Sequence, residues 1–504
     1  MADEKPVLMT AKPGDAPEGD CACPEPDRFS AQLWRASPAD VPESDCACPE
    51  AASVPDRHNS APSGLWQQTP GLYRAPLSGG HEVAFAPVVG AGVVVLNGSA
   101  SRLLDAFAYP RPVPRASHGL PMPGRVEAVR LAGEMAGVGL ISRAGETAAA
   151  AVAPPQTLTA WLHVTRRCNL HCTYCYAGRG EEEMDEATAR ATVEALCRSA
   201  ARHGLRALKL KYAGGEPSLN LPAVLAAHGE ALTRAERHGL ALREVLLTNG
   251  VNLPVATLEA LRGAGIGLSV SLDGVGPVHD GQRGAGSFER ALRSLDLALS
   301  LGMRPHVSVT VTAHNVHALR EVVELVMDRG LPFNLNFYRP SGRSGSSSLQ
   351  PGEKDLIAGV RAALAAVEER LPRESLVAGL LDRCSLAAGH LHACGAGKSY
   401  VAIDPEGRLA SCHMELDGGR IVGRIGRDDP LSAIRMAAGA WRAMAVDERP
   451  GCGQCEWRYW CAGGCPLLSR LDAGPSPYCR VYRAIIPELL RLEGLRLLKW
   501  GPDS

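Results

Sequence analysis

The sequence predicts an α/β protein: a partial barrel of six parallel strands, preceded by a small α+β module and followed by a cysteine-rich tail. Three observations carry this prediction. From about residue 158 to 340, short β-rich runs alternate six times with helical stretches, the pattern of a parallel sheet with helical crossovers. Ahead of that region, residues 71–150 carry two short strand patterns and two helical ones. Behind it, eight of the chain's 16 cysteines fall within residues 384–479.

The chain has 504 residues, on the scale of about three domains. Apolar residues make up 45%, enough to bury a sizeable core. Basic and acidic residues balance, 53 against 54, which excludes a strong electrostatic footprint for nucleic acid or anionic membrane. No apolar run approaches the roughly 20 residues of a transmembrane helix. The start, Met1-Ala2-Asp3-Glu4-Lys5, lacks the apolar region of a secretory signal. A cytoplasmic protein is expected, with no nucleic-acid and no membrane partner. In a reducing compartment so many cysteines argue for metal or redox chemistry rather than disulfides.

Residues 1–70 are rich in Pro, Ser, Asp and Ala and read as a disordered tail. They contain an imperfect repeat. Asp20-Cys21-Ala22-Cys23-Pro24-Glu25 returns as Asp45-Cys46-Ala47-Cys48-Pro49-Glu50, and Leu33-Trp34 returns as Leu65-Trp66. Such Cys-x-Cys pairs suit ion or cluster binding, a peptide substrate fused to the front of the enzyme, or an unused duplication. In 71–150, strands are expected at 81–87 and 93–96. Asn97-Gly98-Ser99 should cap a helix carrying Leu103, Leu104 and Phe107 on one face, with a second helix at 125–135. An Ala run and a Pro-Pro pair at 148–156 form a linker.

The core is expected over 157–340. Its strands are placed at 160–165, 207–212, 244–247, 267–271, 304–311 and 333–337. The intervening helices are placed at 186–203, 221–238, 255–263, 287–301 and 316–329. Cys197, alone inside such a helix, reads as a buried apolar thiol. Residues 341–380 read as a Ser/Gly linker and a helix at 352–371, and 381–500 as the cysteine-rich domain.

Directly after the first core strand comes Cys168-Asn169-Leu170-His171-Cys172-Thr173-Tyr174-Cys175. Three close thiolates can hold three corners of a cubane iron–sulfur cluster. Four-cysteine ligation is usual, so three leave one iron open to a substrate or cofactor. The loop lies where α/β folds place ligands, at the carboxyl end of a parallel strand. A zinc loop is the alternative.

At these residues the sequence resembles the radical S-adenosylmethionine (SAM) superfamily, whose signature is a Cys-x3-Cys-x2-Cys loop with an aromatic residue before the last Cys. Supporting motifs follow in order behind later strands: Gly214-Gly215-Glu216-Pro217, Thr248-Asn249-Gly250, Ser271-Leu272-Asp273-Gly274, and His279-Asp280 with Arg283. The resemblance covers about 158–340. It implies one SAM-binding [4Fe–4S] cluster on Cys168, Cys172 and Cys175. It implies SAM contacts from Tyr174, Gly214, Gly215, Glu216, Asn249, Ser271, Asp273 and Arg283, with Ser271 and Arg283 on the carboxylate. It also implies the chemistry: reductive cleavage of SAM gives a 5′-deoxyadenosyl radical that removes hydrogen from an unactivated carbon.

The tail has Gly407-x4-Cys412, then Cys452-x2-Cys455-x5-Cys461-x3-Cys465, then Cys479. It resembles the SPASM extension of radical SAM peptide maturases. That implies two auxiliary [4Fe–4S] clusters, one on Cys384, Cys394, Cys412 and Cys465, the other on Cys452, Cys455, Cys461 and Cys479. Cys384 departs from the family spacing by lying further from Cys394. Without it, the first auxiliary cluster keeps an open iron. Zinc fits a Cys-x2-Cys pair equally well on spacing alone.

Residues 71–145 resemble the winged-helix peptide-recognition module of ribosomal peptide maturases, on Val93-Val94-Val95-Leu96-Asn97 and Leu103-Leu104-Asp105-Ala106-Phe107. Such a module takes a leader peptide as an added strand on a sheet edge. The expected function is therefore a radical SAM maturase that installs a thioether or carbon–carbon cross-link in a ribosomal precursor peptide, with flavodoxin or ferredoxin as reductant. One alternative is an anaerobic sulfatase-type maturase oxidising a Cys or Ser. In those relatives an acidic base follows an auxiliary Cys, whereas here His413 follows Cys412 and becomes the candidate base. From another class, an electron-transfer or zinc-stabilised binding protein with vestigial motifs remains an alternative.

Overall fold

The computed structural model describes residues 31–35, 63–88, 92–118, 122–146, 154–340, 347–375, 378–387, 389–439, 444–469 and 475–501. Its amino-terminal part is a two-faced sheet. Strands β1 (Leu33–Arg35), β2 (Trp66–Gln68), β3 (Tyr73–Pro76), β4 (Glu82–Phe85), β5 (Val94–Leu96) and β6 (Ile141–Arg143) form one sheet in the order β1-β5-β4-β3 and a pair, β2-β6. Alternation sends Ala84, Val94 and Leu96 to one face, where they meet Leu103, Leu104 and Phe107. It sends Val83, Phe85, Val93 and Val95 to the other, which joins the main core. Asn97 caps α1 (Gly98–Ala106), its Oδ1 accepting from the Ala100 N–H at 3.0 Å. The short α2 (Val113–Ala116) leads to α3 (Met122–Gly137), which packs on α1.

The expectation of a disordered tail over 1–70 needs correction at β1 and at β2, both of which lie inside it and pair with the module. The four cysteines of the repeat lie outside the described residues.

The six core strands appear in sequence order and all parallel: β7 (Thr157–Thr165), β8 (Ala207–Gly214), β9 (Ala241–Thr248), β10 (Gly267–Ser271), β11 (His306–Val311) and β12 (Phe333–Phe337). The crossovers are α4 (Glu186–Arg202), α5 (Leu221–His238), α6 (Val255–Gly263), α7 (Pro277–Arg283) with α8 (Ser287–Ser300), and α9 (Leu319–Met327). Cys197 in α4 is fully buried, as an apolar thiol should be. After α10 (Glu353–Glu369) the chain extends both edges of this sheet. On one edge β13 (Ala378–Leu381) pairs parallel to β12 and turns into β14 (Cys384–Ser385). On the other, β15 (Tyr400–Ile403) pairs parallel to β7, followed by β16 (Arg408–Ala410) and β17 (Gly423–Arg424). The cysteine-rich tail thus brackets the barrel strands in one sheet of 11 strands. Helix α11 (Pro430–Met436) packs on α4, and the last helix, Cys479–Trp500, packs on α10 and the module. Among the described residues no helix is long and apolar enough to cross a membrane.

Candidate active site

Glycine makes the loop after β7 possible. A Cβ on Gly214 would lie 2.2 Å from the Thr165 carbonyl oxygen, and one on Gly215 would lie 2.0 Å from that of Arg167. Gly214 also has φ near 146°. The freed space lets two backbone bonds form, Gly215 N–H to Thr165 O at 2.8 Å and Glu216 N–H to Arg167 O at 2.7 Å. They fix the chain one residue before Cys168.

Glu216 is 1% exposed and works as a staple. Its carboxylate accepts from Thr248 Oγ1 and the Asn249 N–H, both at 2.8 Å, and from the Ser218 N–H at 3.1 Å. Burial raises its pKa in spite of these donors. Asn249 carries the connection on: its Nδ2 donates to Asn169 Oδ1 at 2.7 Å and lies 3.9 Å from Cys168 Sγ. The second and third strand-end motifs therefore hold the first.

The fourth motif builds a buried ion cluster. Asp273, fully buried, accepts from Arg283 Nε at 2.6 Å, Tyr174 Oη at 2.5 Å and the Thr310 N–H at 2.8 Å. The Arg283 guanidinium lies over the Tyr174 ring at 5.5 Å. Burial opposes its charge, but Asp273 outweighs burial and raises the Arg283 pKa. Two of its nitrogens face Asp273, so the guanidinium that the resemblance assigns to SAM is first a partner for a buried carboxylate. Ser271 ends β10 beside Ser308, at the same end of the barrel. The structure thus gathers the three loop cysteines with Tyr174, Glu216, Asn249, Asp273 and Arg283 at the carboxyl ends of the parallel strands.

In the tail, Cys452, Cys455, Cys461 and Cys479 line one pocket of about 350 Å³, open mouth included, together with Trp457 and Tyr482. Burial pushes the Cys461 thiol up to about 12. Metal ligation must therefore displace a tightly held proton. Cys394, Cys412 and Cys465 gather elsewhere. The charges of Cys412 and Cys394 reach Tyr400, and those of Cys394 and Cys465 reach Arg383. Arg339 contacts Cys465 and pairs with Asp382 at 2.5 Å. Cys384 is 2% exposed, stands opposite Leu381 across the β13–β14 turn, and its thiol is pushed well up by burial and then by Cys461 and Asp382.

Do these donors fit clusters? Each set is all thiol, the donor chemistry of iron–sulfur sites. Among the described residues no three Cys, His, Asp or Glu converge closely enough for one metal ion. A tetrahedral zinc draws its thiolates to about 2.3 Å from a common centre. The four thiols of Cys452, Cys455, Cys461 and Cys479 round one pocket are a complete ligand set for one such cluster.

Between the loop and the tail lies a half-buried stack of rings that sequence reasoning missed. His413 stacks on Trp161 at 4.4 Å and meets the edge of Tyr176 at 4.9 Å. Its Nδ1 pairs with Tyr400 Oη at 2.6 Å. Burial, then the Arg383 guanidinium, lowers its pKa well below the usual value. The candidate base is thus a neutral ring held on two sides. Its neighbours had one sequence signal: Tyr176 follows Cys175 as His413 follows Cys412. Asp417 was also missed. Its carboxylate takes the Gly178 N–H and Arg166, tying the cysteine loop to the tail. Burial opposes that charge, yet these two donors outweigh it and lower the carboxyl pKa.

Comparison with known proteins agrees with this arrangement. Residues 162–328 match the family model described as the Radical SAM superfamily. Mycofactocin maturase MftC of Mycobacterium ulcerans is 27% identical over 326 residues, covering 63% of this chain and 86% of that protein. An AdoMet-dependent heme synthase of Methanosarcina barkeri is 27% identical over 360 residues, covering 65% and 96%. Among solved structures, anSMEcpe with bound AdoMet aligns with a TM-score of 0.53 at 15% identity, over 68% of this chain and 96% of that one, a likeness of fold. The matched residues run from within β7 to just past α9 and take in the cysteine loop with every strand-end motif that braces it, so residues 162–328 form a radical SAM domain.

Proposed function

We propose that this protein is a peptide maturase that installs a cross-link, thioether or carbon–carbon, in a ribosomally made peptide. The observation that carries this reading is the junction of the amino-terminal module with the tail. Phe85 of β4 packs on Trp460 at 4.6 Å, Tyr73 of β3 meets Trp457 at 5.6 Å, and Trp460 Nε1 donates to the Pro87 carbonyl at 2.9 Å. Trp457 in turn lines the four-cysteine pocket. A sheet suited to strand addition is built onto the auxiliary-cluster cradle rather than strung from a linker. The name of the mycofactocin maturase points the same way.

SAM and a reduced iron–sulfur cluster would supply a radical that takes hydrogen from unactivated carbon. Cys168, Cys172 and Cys175 would hold that cluster, and the eight tail cysteines two more, with Cys384 the doubtful member. Glu216 and Asn249 keep the loop in place. Tyr174, Asp273 and Arg283 wall the strand ends and present fixed charge. Gly214, Gly215 and Ser271 lie where SAM would meet backbone and hydroxyl. The half-buried rings of Trp161, Tyr176 and His413, with buried Tyr400, pack between loop and tail. His413, whose Nδ1 is taken by Tyr400 Oη at 2.6 Å, stands where the sulfatase-type relatives carry an acidic base, and that departure favours cross-linking over oxidation of Cys or Ser. A flavodoxin or ferredoxin is the expected reductant.

The test is to reconstitute the enzyme without oxygen and supply SAM, reductant and a candidate precursor peptide. The expected result is 5′-deoxyadenosine in step with a loss of about two mass units per cross-link. A peptide carbonyl trapped by hydrazine would instead establish the sulfatase-type reading. SAM cleavage that leaves every peptide unchanged would overturn both.

A further inference from the structure

Besides its thiols, the four-cysteine pocket is lined by a residue whose chemistry packing alone does not explain. Of the lining residues, Tyr482 alone has a buried polar side-chain atom without a hydrogen-bond partner among the described residues. The residue is 1% exposed, so its hydroxyl has left bulk water. A buried hydroxyl with no partner forfeits its hydrogen bonds to water and receives nothing in exchange. Phenylalanine would fill the same space without that loss.

The surroundings aim this hydroxyl at the thiols. Tyr482 lies three residues after Cys479 in the last helix, so the two side chains share a face. Gly464 clears the space beside the ring. It has φ 72°, and a Cβ there would lie 3.3 Å from Tyr482 Cε2, the carbon next to the one that bears the hydroxyl. The Gly464 N–H donates to the Cys461 carbonyl at 2.7 Å. The hydroxyl end of the ring therefore lies against the turn that carries Cys461. Phe337 stacks on the ring at 6.1 Å and itself packs on Tyr478 at 5.0 Å, which fixes the ring's orientation. Burial and then Asp382 push the phenol pKa well up, against Arg339, and the charges of Cys461 and Cys384 add to the push. The group is a neutral donor among thiols.

We propose that Tyr482 is a further residue of this cluster site: its Oη–H donates to a sulfur on the Cys461 side of the cluster and raises the reduction potential. The proposal rests on the reading of the tail cysteines as ligands of two auxiliary clusters. Iron–sulfur potentials respond to hydrogen bonds on the sulfurs, and groups around the ligands tune a metal site as the ligands do. Reduction adds negative charge to a cluster, so a donor aimed at sulfur favours the reduced form.

The experiment uses the full chain, reconstituted without oxygen, with Cys168, Cys172 and Cys175 replaced by Ala so that every cluster signal comes from the tail. The signal lost on further replacing Cys452 and Cys479 with Ser belongs to the cradle. Tyr482→Phe should keep the iron content and lower the potential of that signal alone. In a redox titration followed by electron paramagnetic resonance, its reduced-to-oxidised ratio at a fixed potential should fall about tenfold, about 59 mV for one electron. Thermal unfolding gives a second readout. In iron-free protein Tyr482→Phe should unfold at or above the parent's temperature, because the hydroxyl has no partner there. A hydroxyl that serves the fold alone would make the iron-free variant unfold lower, and that result would overturn the proposal. An unchanged potential with iron retained would also overturn it and leave the cluster reading standing. A shift in the other tail signal would assign the hydroxyl to the second thiol set and overturn it too. Zinc in the cradle, with no iron signal that depends on Cys452 and Cys479, would overturn the cluster reading itself.

Discussion

The two best-defined cysteine sites are built in opposite ways. The loop site takes its three thiols from eight consecutive residues, 168–175, at the end of one strand. Its geometry is set by groups that are not ligands: the glycines against Thr165 and Arg167, the Glu216 staple and Asn249. The four-cysteine cradle takes its thiols from 452, 455 and 461 on one side and 479 on the other, at the start of the last helix. Its bracing is a set of local turn bonds, Cys455 N–H to Cys452 O at 2.8 Å, Gly464 N–H to Cys461 O at 2.7 Å and Arg449 Nη1 to Gly463 O at 2.9 Å, all on the 452–461 side. On the proposed ligation, the protein would hold the loop in shape before any cluster binds, whereas a cluster on the cradle would itself tie the last helix to the tail. The former suits a site that must leave one iron open; the latter suits a closed, structural or electron-carrying site.

The sharpest way to break this contrast is to remove each set. Replacing Cys168, Cys172 and Cys175 with Ala should abolish 5′-deoxyadenosine formation, remove about four irons per chain, and leave the melting temperature and the tail iron near those of the parent. Replacing Cys452 and Cys479 with Ser should do the reverse in the fold. The last helix loses its metal tie, so thermal unfolding should begin several degrees lower, because metal binding and folding are coupled. Iron analysis with calorimetry reads both. Equal melting losses in the two variants would erase the distinction.

The same contrast explains what could be read from the sequence. The loop site is local: ligands, bracing motifs and the six strands behind them are each a short run with its own signal, and all six strands were placed, though the first and third begin three residues earlier than expected. The tail is not local. That Cys384 sits by Cys461 depends on a two-residue strand, β14, folding back on β13, with Arg383 between them at φ 53°. Cys spacing carries no trace of that register. Nor did anything in 400–403 announce a strand that would pair beside β7, since its hydrophobic run fits any buried strand. β1 was invisible because its partner lies 59 to 63 residues on, and its composition is that of a tail.

A smaller effect is expected at the ion cluster beside the loop. The resemblance makes Arg283→Ala a SAM-binding variant with iron retained. The structure changes that expectation. Removing the guanidinium leaves Asp273 buried and uncompensated, a loss on the order of 3–5 kcal/mol. Denaturant unfolding should show that loss before any SAM titration is informative. Adding Asp273→Asn to it should recover part of the stability, since no buried charge is then left alone. If Arg283→Ala is as stable as the parent but binds SAM poorly, Arg283 serves the ligand and not the fold.

The smallest expected effect lies at the seam where the tail meets the barrel. Asp429 caps α11, accepting from the Ser432 N–H at 3.0 Å, and pairs with His203 Nε2, at the end of α4, at 2.9 Å. Beside it the Leu431 N–H donates to Ser199 Oγ of α4 at 3.1 Å. Burial opposes the Asp429 charge, but the Ser432 N–H and then His203 outweigh it and hold the carboxyl at about 2, below its ordinary value of 3.8. A carboxyl lowered on folding stabilises the native state only while ionised. Its contribution is complete above about pH 4 and is lost as pH falls toward 2. Asp429→Ala should therefore cost about 1 kcal/mol near neutral pH, the usual value of a lost helix cap. The gap between variant and parent should close as the solution is acidified through that window. Because this seam joins the tail to the barrel without any cysteine, the loss should be the same in iron-loaded and iron-free protein. A larger loss in iron-free protein would mean that the cradle and the seam share the work of holding the tail.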